Sequence, residues 1–330
     1  MIPEAAPGAT LDRPAAQGIA EKFLVEVMGR DMAGLEFVET KDYQRPARGD
    51  HDFIWKQKNV DLGEGQWRIE VDVAGDQVSG YYEYVYIPEQ WTRDYSKLRS
   101  RNDVAQQAAE VLFIAITIGM MVILLRRLRD RDVPIRLAVI LGGIGAVLYF
   151  LGQLNNFAMA EYGYSTTDSY TSFVANYFRN SVLAALGVAT WIVFLTASAE
   201  PMYRAAYPRL TSLRLGLGWQ GLRSRSFFIN NVVGLTLTCF FFAYQTIFYL
   251  TANKLGAWSP AEVNYSDLLS TRFPWVWVLF IGFLPAISEE LQFRAFAIPF
   301  LHRVLRHKAV AVVLAAFIWG FLHSNYPRQP

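Results

Sequence analysis

Within residues 284–301, LPAISEELQFRAFAIPFL, an apolar run holds two carboxylates and a guanidinium: Glu289, Glu290 and Arg294. An ionised side chain inside a membrane-length segment costs about 2.5–3.5 kcal/mol on insertion scales, so each needs a partner or a task. Glu290 and Arg294 are four positions apart. Helical spacing puts them on one face, with Glu ahead of Arg in the favourable order for an ion pair. Glu289 lies about 100° round the helix and has no partner on its own helix, which leaves it available as a general base on water. Pro285, one turn earlier, removes a backbone hydrogen bond and is expected to open the helix to water there. Ser288 lacks the Gly-x-Ser setting of a nucleophile and is expected to bond back onto its own helix.

The next apolar run, AAFIWGFLHSNYP, carries His323, with Trp319 one turn earlier on the same face. A helix from Trp275 reaches Glu289 after roughly 21 Å, past the midplane of a core about 30 Å thick. His323 lies about fourteen residues beyond the intervening basic turn, HRVLRHK. On antiparallel neighbours, Glu289 and His323 are therefore predicted at similar depth, the minimum for holding and activating a water. The same residues also fit a helix-locking ion pair with a histidine bonded to a backbone carbonyl, or a transport pathway. The residues alone leave these readings open.

The elements that must position this group follow from a split in composition. Residues 1–103 hold 13 Lys/Arg and 19 Asp/Glu, a net of −6, whereas residues 104–330 hold 18 and 10, a net of +8, and nearly all the apolar runs. That asymmetry predicts a small N-terminal α+β domain, 1–103, joined to a mostly α, polytopic transmembrane bundle, 104–330. About six spans are predicted, at 104–125, 137–157, 181–199, 227–252, 275–301 and 309–326. Loops 126–136 and 200–226 hold five arginines each, and 302–308 two arginines and a lysine, while 158–180 and 253–274 hold only Arg179, Lys254 and Arg272. The positive-inside rule makes the first set cytoplasmic and puts the acidic N-terminal domain outside. The opening residues have neither a basic start nor an apolar stretch, so a further transmembrane helix is expected upstream of Met1. No basic run is dense enough for nucleic acid, and the single cysteine, Cys239, excludes a disulfide framework and a Cys-based metal site.

In the N-terminal domain, Ile19, Ala20, Phe23, Leu24 and Val27 recur at helical spacing over 14–28. WRIEVDV alternates, with Trp67, Ile69, Val71 and Val73 on one face and Arg68, Glu70 and Asp72 on the other. AGDQ reads as the turn into VSGYYEYVYIPEQW, and DHDFIWKQK as an earlier strand. One helix on a meander of three or four strands is expected, followed by a polar helix near 91–101. Its acids look scattered, as on a solvated sheet, and imply an accessory or binding role.

EELQFR forms a Glu-Glu-x-x-x-Arg pattern, and 34 residues after Glu289 comes the histidine of an aromatic-x-x-x-His pattern. Together they resemble the CAAX prenyl protease and bacteriocin-processing enzymes (the Abi family), which are multi-helix intramembrane endopeptidases. The resemblance spans about 180–330. It implies that Glu289 activates water with help from His323, and that Glu290 and Arg294 complete the first motif. The second motif usually begins with Phe, where this chain has Trp319. A later His-x-x-x-Asn or His-x-x-x-Asp motif, implied to stabilise the oxyanion, is not found before Pro330, and His302 and His307 precede His323. The expectation is a family member truncated at its C-terminus and inactive as these 330 residues. The substrate class implied is a membrane-associated or lipidated peptide, in a multi-pass protein of the bacterial plasma membrane.

No cofactor is expected, because Glu289 and His323 offer two ligands where a catalytic zinc takes three from the protein. His-Glu-x-x-His and paired intramembrane aspartates are both missing. The runner-up reading is a non-enzymatic scaffold or bacteriocin-immunity-like protein whose outer domain binds a partner. A transporter ranks last, since the first three spans offer little polarity beyond Glu110, Gln153 and Asn155.

Overall fold

The computed structural model describes residues 2–255 and 271–323, with backbone alone for 98–102. The chain divides into two compact units, Met1–Ser100 with Gly163–Asn176, and Arg101–Tyr162 with Tyr177–Pro330.

In the first unit, α1 (Arg13–Glu26) starts where the Asp12 carboxylate accepts the Ala15 N–H and Pro14 occupies the first turn. It lays Ala16, Ala20 and Leu24 against a sheet core built on Phe53, Trp55, Ile69 and Val71. Val27, expected on that face, is exposed, because the helix has already ended. The sheet is a four-stranded antiparallel meander: β1 (Leu35–Arg45), β2 (Arg48–Gln57), β3 (Gln66–Ala74) and β4 (Gln77–Tyr86). β3 keeps the alternation read from its sequence, with Ile69, Val71 and Val73 buried. A two-residue turn joins β3 to β4, with Gly75 at φ 65°, a conformation that costs glycine least. β1 is an edge strand that buries only Leu35, so no apolar alternation announces it.

The second unit is helical. The polar helix near 91–101 and the first span are one element, α2 (Glu89–Arg129), since hydrogen-bonded turns need no change of direction where polarity changes. Then come α3 (Ile135–Asn155), α4 (Phe157–Tyr162), α5 (Tyr170–Ala206), the short α6 (Leu213–Gly216) and α7 (Trp219–Leu222), and α8 (Arg225–Lys254). α9 (Pro274–Glu289) runs into a π-helix, Glu290–Ala297, then α10 (Ile298–Leu305), and α11 (Lys308–Leu322) closes the described chain. α5 outruns its predicted span, 181–199, at both ends. Five helices among the described residues are long and apolar enough to cross a membrane: Asp103–Arg129, Ile135–Tyr162, Tyr170–Ala206, Arg225–Lys254 and Pro274–Leu305. The sixth predicted span appears as α11, 15 residues long, and positions 324–326 fall outside the described residues.

Close approach depends on small residues. A Cβ on Gly142 of α3 would come within 2.8 Å of the Ala189 carbonyl oxygen of α5, so a larger side chain would push the pair apart. The core that holds the π-helix joins Ile116 and Met120 of α2, Leu195 and Met202 of α5, Phe296 of the π-helix and Ile318 of α11. α8 buries none of its residues against the rest of the described chain.

Candidate active site

Glu289 ends α9, and the ladder then slips from α to π register: the Ile298 N–H bonds the Phe293 carbonyl, five residues back. Pro299, at the start of α10, has no N–H to return the ladder to α register at that point. π segments are rare, short and concentrated at functional sites. Around this one, Glu289, Glu290, Phe293, Arg294 and Ile298 line one cavity of about 380 Å³, with Val312, Ala315 and Trp319 of α11 on its other side. Pro285 is accommodated inside α9. The Ser288 hydroxyl donates to the Leu284 carbonyl at 2.7 Å, the back-bond expected from its position.

Glu290 and Arg294 form an ion pair. Glu289 takes its partners from α11: the Trp319 indole N–H donates to Oε2 at 2.7 Å, and His323 Nε2 lies 3.9 Å from Oε1. Helix α10, a turn with Arg306 in the left-handed conformation, and α11 make the hairpin that brings them together. His323 Nδ1 lies 2.8 Å from the Trp319 carbonyl oxygen. A carbonyl only accepts, so Nδ1 carries the proton and, in the neutral ring, Nε2 presents its lone pair toward Glu289. One ring nitrogen therefore makes the backbone bond of the structural reading, while the other faces the carboxylate. His323 is half-exposed, and Glu289 is less so.

Residues 271–329 match the family model described as type II CAAX prenyl endopeptidase Rce1-like. This segment is CAAX-protease-like. The match takes in Glu289, Glu290, Arg294 and His323, the residues on which the resemblance was drawn. No curated protein and no solved structure matches the chain. With the five long apolar helices, the Rce1-like segment marks a multi-pass integral membrane protein.

Three features escape sequence reasoning. Trp319 acts as a hydrogen-bond donor to Glu289 and not only as an aromatic surface. Glu200 of α5, placed by sequence in a loop, is buried at 2% exposure and pairs with Arg204, which bonds Asp132, itself paired with Arg127 of α2. The third is on the N-terminal sheet, whose acids are not scattered. The carboxylates of Asp52, Glu70 and Asp72 lie within 4.8 Å of one another, because the β2–β3 register sets Asp52 directly opposite Asp72. Burial, then the neighbouring Asp52 and Glu70 charges, push the Asp72 carboxyl up to about 7. Only strand register would have revealed this cluster. The polar residues that raised a transport reading have local partners: Glu110 accepts from Gln106, and Asn155 bonds Thr271 and Phe273.

Proposed function

We propose that the chain is an intramembrane endopeptidase that hydrolyses a membrane-associated or lipidated peptide with water activated between Glu289 and His323. The observation that carries this is the 3.9 Å separation of Glu289 Oε1 and His323 Nε2 beside a cavity in the Rce1-like segment. A water held there hydrogen-bonds both groups. Glu289 Oε1 removes one of its protons as the oxygen bonds the scissile carbonyl carbon. That proton then goes to the departing amine nitrogen as the C–N bond breaks. His323 Nε2 accepts the water's other hydrogen and fixes its attack direction. The Glu290–Arg294 pair neutralises the remaining charge on the cavity wall. Glu289 and His323 make a two-ligand donor set, short of a catalytic zinc site, so the scheme uses no metal. The basic loops support a site open toward the cytoplasmic half, with the N-terminal sheet domain outside.

The test uses the full-length protein reconstituted in liposomes with a fluorogenic farnesylated peptide. Glu289→Gln and His323→Ala should each lower the cleavage rate by about 10²–10⁴-fold, the range of a lost general base, with helical content unchanged. Wild-type rates in both variants would sink the proposal and favour the scaffold reading, in which deletion of residues 1–103, not of the charges, removes the phenotype.

A further inference from the structure

The last turn of α11 closes on a 3₁₀-type backbone bond. In a continuing helix the Trp319 carbonyl would accept the His323 backbone N–H, four residues on. Here that N–H bonds the Gly320 carbonyl instead, and the helix stops at Leu322. The Trp319 carbonyl, in the last turn of the helix, takes the His323 imidazole Nδ1–H at 2.8 Å instead. The same residue's side chain turns the other way along the site, its indole N–H donating to Glu289 Oε2 at 2.7 Å. Its ring also packs on the His323 imidazole, with centroids 4.7 Å apart.

We infer that Trp319 is a positioning residue that sets both halves of the Glu289–His323 pair: its indole fixes which carboxylate oxygen is free, and its carbonyl fixes which imidazole nitrogen is bare. The inference rests on the proposed function and deepens it. With Oε2 occupied by the indole, Oε1 is the oxygen left to face Nε2. With Nδ1 protonated toward a carbonyl, Nε2 is the nitrogen left to face Oε1. A carboxylate on a single side chain rotates about its terminal bond, and a donor on one oxygen removes that freedom. Phenylalanine at this position would supply the ring and the carbonyl but no N–H. Trp319 thus adds a constraint that an aromatic ring alone does not.

The distinguishing substitution is Trp319→Phe, which deletes the N–H and keeps an aromatic ring. Benzothienylalanine at position 319 deletes the same N–H at nearly constant shape and covers the case in which Phe packs poorly. Both should lower kcat for the farnesylated peptide by about 10- to 100-fold, the range for losing a hydrogen bond to a charged group. KM should stay within about twofold, because the bond orients the base and does not hold substrate. A readout independent of cleavage is the indole ¹⁵N–¹H resonance that disappears in Trp319→Phe; it should shift when Glu289→Gln is introduced into the otherwise wild-type protein. Cleavage lost in Glu289→Gln but unchanged in both position-319 variants, with an unmoved indole resonance, would overturn the inference alone. Full cleavage by Glu289→Gln would overturn the proposed function and this role with it.

Discussion

The molecule gathers carboxylates in two places and treats them in opposite ways. On the N-terminal sheet Asp52, Glu70 and Asp72 crowd within 4.8 Å of one another, and burial with those neighbours pushes the Asp72 carboxyl up to about 7. In the Rce1-like segment the charges at 289–294 each have a complement: Glu290 has Arg294, and Glu289 has the Trp319 indole with His323 beyond it. The reason is the surroundings. A sheet face bordered by water tolerates like charges, because a proton taken from solvent relieves them. In a segment of membrane length a lone charge is costly to insert, so complementary side chains sit beside it.

That contrast is broken most forcefully by removing one partner of the intramembrane pair. Arg294→Leu leaves Glu290 without its cation and should lower the stability of the inserted protein by about 2.5–3.5 kcal/mol, the insertion cost of a lone charge. Glu290→Leu combined with Arg294→Leu should return most of that loss. Thermal melts of the reconstituted protein measure both, and a double variant as unstable as the single would show that the pair does more than neutralise.

The sheet cluster makes a gentler and pH-dependent counterpart. A folded-state pKa near 7 for Asp72 lies above the ordinary unfolded value of about 3.9. The folded sheet therefore binds more protons than the unfolded chain between those limits, and its stability falls as pH rises from about 4 to about 7. Asp52, also raised by burial, adds to the same slope. Asp72→Asn should flatten that slope and stabilise the sheet at pH 8 by about 1–2 kcal/mol, less than the full shift implies because solvent screens a partly exposed group. Amide exchange of β3 in the intact protein at pH 5 and pH 8 reads the difference; a slope as steep in Asp72→Asn would remove Asp72 as its source.

The two clusters also differ in how far the sequence shows them. The Glu290–Arg294 pair is legible because helical spacing is local: four positions bring the groups together in either the α or the π register. Glu289 and His323 are legible because a short hairpin, pivoting on Arg306, folds equal lengths of chain back on one another. The slip into π register, and the bond from the His323 N–H to the Gly320 carbonyl at the end of α11, depend on backbone geometry that no residue spacing encodes. On the sheet, the β3–β4 hairpin is readable from AGDQ, because a two-residue turn fixes its register. The β2–β3 connection spans residues 58–65 and fixes nothing by itself, so Asp52 opposite Asp72 is invisible until the strands are paired. β1 is missed for a related reason, since an edge strand with one buried residue carries no alternating pattern.

The weakest test of the contrast concerns Lys41. Its ammonium lies 3.9 Å from Glu70 Oε1, which places a cation beside the sheet's carboxylates without the tight contact that Arg294 makes in the membrane segment. Asp52 raises the neighbouring Tyr43 phenol, and burial with Glu70 raises that of Tyr84, so neutral hydroxyls already flank the outer members of the cluster. A long, solvent-screened pair of this kind contributes at most about 0.5 kcal/mol. Lys41→Met is accordingly expected to change sheet stability by less than about 0.5 kcal/mol at pH 8 and to leave the pH slope in place. A loss several times larger, or a slope that steepens, would mean that Lys41 compensates the three carboxylates as Arg294 does Glu290. Proton uptake would then cease to be what separates the two regions.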